Sequence, residues 1–267
     1  MSEIEIDRPL PKVLRLRLNR PEAMNAFTFG MYETLLQQLH QLRHDTDTQV
    51  VILTGTGRAF CTGHDLRQTG SAPWVAPELG FMQHRREFMS ELAQIPLAMR
   101  RLSQPVICAV NGVAAGLGFV LSLAADLTLA ARSAKFVNAI HNAGTGAEAG
   151  LSYLLPRVIG AQRAAELLYT ARPVLADEAE RIGLILRQVD DVSLEAESLE
   201  LAQRIAVNVP IGIAMTKQSL HLNQNAGSLE AAIELEHRAV LISQSTADAT
   251  EKMQAFFDKR APNFTQR

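Results

Sequence analysis

The stretch VICAVNGVAAGLG, residues 106–118, decides the fold. Its first five residues form a short, wholly apolar run, which is typical of a strand buried on both faces. Small residues follow, and they let backbone amides approach a ligand closely. A helical run continues from residue 118 to 125. The stretch therefore predicts a buried strand that leads through a tight loop into a helix.

Similar patterns precede this stretch. Leucine and arginine alternate along Val13–Leu18, which predicts a half-exposed strand. Residues 50–53 form a second buried, β-branched strand. Helix-length segments cover residues 28–43 and 87–102. Because strands and helices alternate, we expect an α/β fold.

The chain beyond Pro156 has a different pattern, in which the strand signal fades and helical stretches dominate. We expect helices near residues 161–169, 177–182, 194–208 and 211–222. A final helix is expected at about 229–259, with Ala232, Leu235, Ala239 and Ile242 at helical spacing. No linker marks a sharp domain boundary, so the boundary expected near residue 200 is soft.

Composition excludes several classes of protein. A chain of 267 residues with 47% hydrophobic content can bury a large core. Its net charge of -2 and scattered basic residues do not favour nucleic acid as a partner. The two cysteines predict neither a disulfide framework nor a zinc site, and no apolar run of about 20 residues suggests a membrane span. We therefore expect a cytoplasmic protein without a metal.

A second segment of small residues, GRAFCTGHDL at positions 57–66, also follows a buried strand. If both loops end near one another, the backbone N–H groups of His64 and Leu117 could converge on one oxygen as an oxyanion hole. The alternative is that Gly112, Gly116 and Gly118 only allow close packing of a helix on a strand.

Several motifs together carry a resemblance to a known family. They are LNRPEAMNA at 18–26, the segment 53–66, the segment 105–118 with Asp126, and the segments 154–160, 176–183 and 256–264. In order and spacing they resemble the enoyl-CoA hydratase/isomerase (crotonase) family over nearly the whole chain. The resemblance implies a spiral of β-β-α turns in residues 1–200 that binds acyl-CoA. It also implies that residues 201–267 form an α-helical trimerisation region, and that the protein assembles as homotrimers or homohexamers.

The resemblance also implies a set of site residues. The oxyanion donors fall on the backbone N–H groups of His64 and Leu117. The substrate-binding residues would be Ala23, Met24, Ala26, Ala59, Gly63, His64, Asp65, Leu66, Gly116, Leu117 and Ile140. Coenzyme A is then part of the thioester substrate, and no separate cofactor is expected. Asp65 is expected to anchor its loop through backbone hydrogen bonds.

The sequence departs from this family at the residues expected to transfer protons. The two glutamates of a standard hydratase fall on Val120 and Ile140, and neither can transfer a proton. Glu148 falls where dienoyl-CoA isomerases of the family have an aspartate base, and it is the remaining acid/base candidate. A purely structural role for Glu148, at the N-terminal end of a helix, is the alternative.

Three functions remain open on this basis. The first is an enoyl-CoA isomerase or hydratase-type enzyme with Glu148 as the acid/base. The second is a CoA-thioester decarboxylase or carbon-carbon lyase, because some decarboxylases of the family have a histidine where this chain has His64. The third is a non-catalytic acyl-CoA-binding protein. His141 lies near a missing glutamate and is expected to have a supporting or surface role.

Overall fold

The computed structural model describes residues 2–68, 72–140 and 144–266, so His141 lies outside the described residues. The β-strands are β1 Ile4–Leu10, β2 Val13–Leu18, β3 Val50–Gly55, β4 Ala59–Cys61, β5 Val106–Val110, β6 Val113–Ala115, β7 Leu127–Ala131, β8 Lys135–Val137, β9 Val174–Leu175 and β10 Arg187–Val189. The α-helices are α1 Phe29–Leu42, α2 Phe81–Leu92, α3 Gln94–Arg101, α4 Leu117–Ala124, α5 Leu151–Ile159, α6 Ala161–Thr170, α7 Ala176–Arg181, α8 Leu194–Ala206, α9 Pro210–Asn223, α10 Leu229–Gln244 and α11 Ala247–Phe257.

The strands form two sheets. The larger sheet has the order β1-β2-β3-β5-β7-β10, and the smaller has the order β4-β6-β8-β9. Pairing is parallel from β2 through β10 in the larger sheet, and it is parallel between β4, β6 and β8 in the smaller one. Among the described strands, only the outer pairs β1–β2 and β8–β9 are antiparallel. The buried apolar runs at β3 and β5 thus occupy the centre of a parallel sheet, as their composition predicts.

From β3 to β8, consecutive strands alternate between the sheets. β3, β5 and β7 belong to the larger sheet, and the strand that follows each of them, β4, β6 and β8, belongs to the smaller one. Helices follow each of these strand pairs, so each turn of the chain has the order β-β-α. Repetition of this turn produces the predicted α/β spiral, and the fold expectation is confirmed.

Strand β2 is more buried than its alternation of leucine and arginine predicts. Arg15 is buried, and its guanidinium pairs with Asp7 and Glu195, each at 2.6 Å. Glu195 lies in α8, which packs against β2 and β3. The expected half-exposed strand was wrong at Arg15, because a helix that is remote in sequence covers this face.

Two helix predictions were too long. Residues 87–102 belong to α2 and α3, which are separated at Ala93, and α2 begins earlier than expected, at Phe81. Residues 229–259 belong to α10 and α11, and the Thr246 hydroxyl caps α11 by accepting a hydrogen bond from the Ala249 N–H at 3.3 Å. In both cases apolar periodicity continues across the break, so periodicity alone does not detect it.

The C-terminal helices α9–α11 are joined to the core at one end. Lys217 of α9 is buried, pairs with Asp126 at 2.7 Å and donates hydrogen bonds to the carbonyls of Met99 and Gln104. Elsewhere these helices expose large apolar side chains, namely Leu220, Leu222, Leu229, Val240, Leu241, Ile242, Met253, Phe256 and Phe257. Within the described residues, no helix is both long and apolar enough to cross a membrane.

Candidate active site

A cavity of about 270 Å³ lies between the smaller sheet, α1, α2 and the start of α4. Its walls are mostly apolar, and residues far apart in sequence contribute to them. The lining residues are Tyr32, Thr62, Gly63, His64, Leu66, Met89, Leu92, Gly116, Leu117, Val120, Ala139, Ile140, Glu148 and Ala149. An apolar cavity of about 150 Å³ is large enough to bind benzene, so this one can hold a small acyl group.

The two loops of small residues meet at this cavity. Gly63 and Gly116 have positive φ angles of 101° and 52°, which glycine adopts without strain. A Cβ placed on Gly63 would lie 3.6 Å from the backbone nitrogen of Leu117. Gly63 and the first residue of α4 therefore lie side by side at the cavity wall.

The peptide around His64 is held by the chain that precedes α1. Phe27 donates its N–H to the carbonyl of Gly63 at 2.7 Å, and Asp65 donates its N–H to the carbonyl of Phe27 at 2.9 Å. The N–H groups of His64 and Leu117 donate no hydrogen bond within the described part of the chain. Two free backbone donors thus lie at adjacent positions on the cavity wall.

Helix α4 begins at Leu117, and its whole length is buried. The first N–H groups of a helix have no partner within the helix, and the helix dipole adds partial positive charge there. Val120 lies one turn further along α4 and also lines the cavity. The start of α4 therefore presents a site that favours negative charge, and an apolar side chain lies next to it.

Two of the glycines in these loops are needed for close packing of the backbone, which was the alternative interpretation of the glycine pattern. A Cβ on Gly118 would overlap the backbone carbonyl oxygen of Cys61, and one on Gly112 would overlap that of Arg58. Gly112 and Gly118 are thus required for contact between the two loops. Gly116, by contrast, lines the cavity.

Glu148 is the only acidic side chain among the described residues that line the cavity. It lies just before α5, and its carbonyl accepts the Leu151 N–H at 2.9 Å. Burial raises the pKa of its carboxyl group, and the charge of Arg85 opposes this shift in part. A carboxyl group with a raised pKa is suited to accept and return a proton near neutral pH.

His64 lies among aromatic rings. Its ring centroid is 5.7 Å from Phe29, 5.9 Å from Tyr32 and 5.3 Å from Phe88. Burial lowers the pKa of the imidazole, which favours its neutral form. Nδ1 is buried and has no hydrogen-bond partner among the described residues. His64 is therefore a neutral imidazole in the cavity lining.

Asp65 is buried and holds two arginines beside the cavity. Its carboxylate accepts hydrogen bonds from the Arg67 N–H at 3.1 Å, from the Arg67 side chain and from Arg20 at 3.1 Å. The hydrogen bonds from Arg67 are the largest cause that holds the Asp65 pKa well below its usual range. Asp65 does not line the cavity and instead anchors the loop that carries His64.

The structure brings together most of the predicted site residues. Gly63, His64, Leu66, Gly116, Leu117, Ile140 and Glu148 all line the cavity. The remaining predicted residues, Ala23, Met24, Ala26, Ala59 and Asp65, lie outside its lining. Ala59 is buried in β4, so a substrate contact by its side chain is inconsistent with the structure. Met24 lies near the rim, because its carbonyl accepts a hydrogen bond from the Thr62 hydroxyl at 3.2 Å.

Sequence reasoning missed part of the wall. Tyr32 comes from α1, and Met89 and Leu92 come from α2. The apolar spacing of α1 predicts a buried helix face, but it cannot distinguish a core position from one that faces a cavity. No cluster of histidine, cysteine and acidic side chains that could hold a metal occurs among the described residues.

Comparison with known proteins identifies the family to which this β-β-α spiral and its cavity belong. The family model for enoyl-CoA hydratase/isomerase matches residues 11–267. A probable enoyl-CoA hydratase, echA12, from Mycobacterium bovis is 42% identical, over 99% of this chain and 93% of its own length. The 1,2-epoxyphenylacetyl-CoA isomerase of Escherichia coli is 38% identical, over 99% of both chains.

A solved structure agrees with this assignment. The crystal structure of a probable enoyl-CoA hydratase/isomerase from Mycobacterium abscessus has a TM-score of 0.91 and 39% identity, and the match covers 99% of both chains. The chain belongs to the enoyl-CoA hydratase/isomerase family. It is accordingly an enzyme of the type that acts on acyl-CoA thioesters.

Proposed function

We propose that this enzyme isomerises an enoyl-CoA thioester by stabilising an enolate and moving one proton through Glu148. The observation that carries the proposal is that Glu148 is the one carboxylate among the described residues that line a mostly apolar cavity. Hydration by the usual route needs one group to activate water and another to manage the α-proton. Val120 and Ile140 supply neither group, whereas isomerisation needs only one acid/base residue.

The backbone N–H groups of His64 and Leu117 form the proposed oxyanion hole. Both donors are unoccupied within the described residues, they are close together, and one of them begins the buried helix α4. As negative charge develops on the thioester oxygen, these donors stabilise it more than they stabilise the neutral carbonyl. Loss of one such donor typically costs about 3 kcal/mol in the transition state.

Glu148 then moves the proton. The ionised carboxylate removes a proton from the α-carbon, and the electron pair of the broken C–H bond becomes the enolate, conjugated with the alkene of a 3-enoyl thioester. The protonated carboxyl group returns the proton to the γ-carbon, and the double bond moves between the α- and β-carbons. The carboxylate is regenerated, so no other reactant is consumed.

Decarboxylation or carbon-carbon cleavage is the second candidate. It is favoured by the neutral imidazole of His64, whose Nδ1 has no partner in the described chain. A histidine there could hold a carboxylate on the acyl group while the oxyanion hole receives the enolate charge. This reaction depends less on Glu148 than isomerisation does.

The C-terminal region, residues 201–267, is proposed to assemble the enzyme into trimers or hexamers, while residues 1–200 bind the acyl-CoA. The support is the row of exposed apolar side chains on α9–α11, because such patches on a folded chain are typical of subunit interfaces. Coenzyme A is proposed as part of the substrate, with no further cofactor.

Proton exchange in heavy water tests the proposal. Hex-3-enoyl-CoA and hex-2-enoyl-CoA are incubated with the wild-type enzyme and with Glu148→Gln, and deuterium is located by NMR and mass spectrometry. We expect the wild type to place deuterium at the α- and γ-carbons, and Glu148→Gln to do so at least about 100-fold more slowly. Glu200→Gln, an exposed substitution outside the cavity, is the matched control.

Other outcomes of these assays distinguish the three candidate functions. Equal exchange by the wild type and Glu148→Gln would assign the proton transfer to another group. Loss of carbon dioxide from a malonyl-type thioester, retained in Glu148→Gln, would favour the decarboxylase. Tight thioester binding without exchange or cleavage would identify a non-catalytic binding protein.

A further inference from the structure

Tyr32 is a polar side chain of the cavity that the proposed reaction does not use. It lies in the first turn of α1, is 3% exposed and lines the cavity together with His64 and Glu148. Its hydroxyl forms no hydrogen bond within the described part of the chain. Buried tyrosine hydroxyl groups usually have a hydrogen-bond partner. An unpaired one at a ligand cavity therefore indicates that the partner belongs to the ligand.

The ring of Tyr32 is fixed by its neighbours. Its centroid lies 5.0 Å from Phe27, 5.9 Å from His64 and 6.2 Å from Trp74. These contacts come from three separate segments, so the side chain has little freedom to turn toward another partner. The hydroxyl is thereby positioned before any ligand enters, which reduces the entropy lost on binding.

Burial also determines the protonation state of the Tyr32 hydroxyl. Burial raises the pKa of its hydroxyl well above the usual value, and the charge of Glu148 adds to this. The hydroxyl is then protonated throughout the physiological pH range and remains a hydrogen-bond donor. Tyr32 and Glu148 both line this cavity.

We propose that the Tyr32 hydroxyl is a specificity-determining donor that binds an oxygen atom on the acyl group of the substrate. The preferred thioesters then carry a hydroxyl, keto or epoxide oxygen beyond the α-carbon. The thioester oxygen itself is excluded as the target, because the His64 and Leu117 N–H groups are assigned to it. This inference rests on the proposed acyl-CoA function and concerns the same cavity.

Pairs of thioesters that differ by one oxygen atom provide the test. Hexanoyl-CoA is compared with 3-, 4- and 5-hydroxyhexanoyl-CoA by calorimetry, and by fluorescence of Trp74, the only tryptophan in the sequence. We expect at least one hydroxylated thioester to bind the wild type about 3- to 10-fold more tightly than hexanoyl-CoA. In Tyr32→Phe this preference disappears, while the affinity for hexanoyl-CoA stays the same.

Two controls distinguish this role from a structural one. Tyr169→Phe removes a hydroxyl from a ring that is 81% exposed and lies outside the cavity lining, so it keeps the wild-type preference. Tyr32→Phe is expected to unfold at the wild-type temperature or above it, because the hydroxyl it removes has no partner in the protein.

The proposal is overturned if the wild type shows no preference for any hydroxylated thioester, or if Tyr32→Phe retains the preference. A drop of several degrees in the unfolding temperature of Tyr32→Phe would also overturn it, since the hydroxyl would then have a partner within the protein. If no thioester binds the wild type, the acyl-CoA function fails and this inference fails with it. Normal deuterium exchange without a preference would reject the role of Tyr32 alone.

Discussion

At the level of single residues, the chemistry of the cavity depends on what surrounds Glu148. Val120 and Ile140, where the family resemblance implies the two glutamates of a standard hydratase, both line the same cavity. Their apolar side chains supply no second carboxylate and make the surroundings of Glu148 less polar. The same two apolar residues, which cannot support hydration, therefore favour a raised pKa at the Glu148 carboxyl group.

The raised pKa has a consequence for stability. A carboxyl group whose pKa is higher in the folded state stabilises the fold fully below its unfolded value, here near 4.5. That contribution is lost as the pH rises through the folded pKa, because the charged form is disfavoured by burial. Above that pH the wild type carries a penalty that a neutral side chain lacks.

We therefore expect Glu148→Gln to unfold at a temperature equal to the wild type or up to about 3 °C higher at pH 8. The difference should shrink toward pH 4, where Glu148 is protonated in both folded and unfolded chains. Thermal unfolding followed by circular dichroism across this range is the measurement. Glu200→Gln should show no such trend, and a Glu148→Gln variant less stable than the wild type at pH 8 would contradict the argument.

At the level of elements, the oxyanion proposal depends on how closely β4 and α4 approach. Gly118 lies in the first turn of α4 directly against the backbone of Cys61 in β4. Both elements are buried, so neither can move aside without disturbing the core. The separation of the His64 and Leu117 N–H groups is thus set by a contact that only glycine permits.

Gly118→Ala should separate these two elements. We expect a loss of about 3 kcal/mol or more in the free energy of unfolding, because the added methyl group overlaps backbone rather than a flexible side chain. Proton exchange should fall in the fraction of the variant that still folds. Urea denaturation measures the first effect and the heavy-water assay the second.

Gly227→Ala is the matched control, since a Cβ at Gly227 meets no atom within 4 Å and the backbone there does not require glycine. It should unfold with the free energy of the wild type. Wild-type stability in Gly118→Ala would show that the two loops can move apart, and it would remove the packing argument for this glycine.

At the level of the whole molecule, the helices α9–α11 bury fewer of their residues than the core elements do. Helix α10 has no buried residue, whereas every residue of α4 is buried. Lys217 and Asp126 hold α9 to the core through a buried ion pair. The apolar faces of α10 and α11 are left uncovered within the described chain, which is why a subunit interface is proposed there.

Leu241→Glu tests this assembly. Leu241 lies in α10 and is 67% exposed, so a charge there leaves the monomer intact but would be buried without a partner in an interface. We expect light scattering to report a trimer or hexamer for the wild type and a smaller mass for the variant. Val192→Glu, at a position that is 95% exposed outside these helices, should keep the wild-type mass. A monomeric wild type would reject the proposal.

Prediction from sequence succeeded where local pattern and residue identity were sufficient. The buried strands β3 and β5 and the helices α1, α4 and α6–α9 follow from apolar runs and helical spacing. Of the ten described strands, only β2, β3 and β5 were predicted, and segments as short as β9 and β10, with 2 and 3 residues, show no pattern. The breaks at Ala93 and Thr246 were missed because the periodicity on either side is continuous.

The sequence by itself determined the alternation of its main strands and helices, the β-β-α repeat through its family resemblance, and Glu148 as the remaining carboxylate. These depend on residue identity and short-range spacing. Only the tertiary structure decided that Tyr32 and Leu92 share a cavity with Glu148, and that Arg15 is buried beneath α8. Such contacts join residues that are 100 or more positions apart or on different elements. Their geometry is set by how the helices pack on the spiral, and no local sequence pattern encodes that packing.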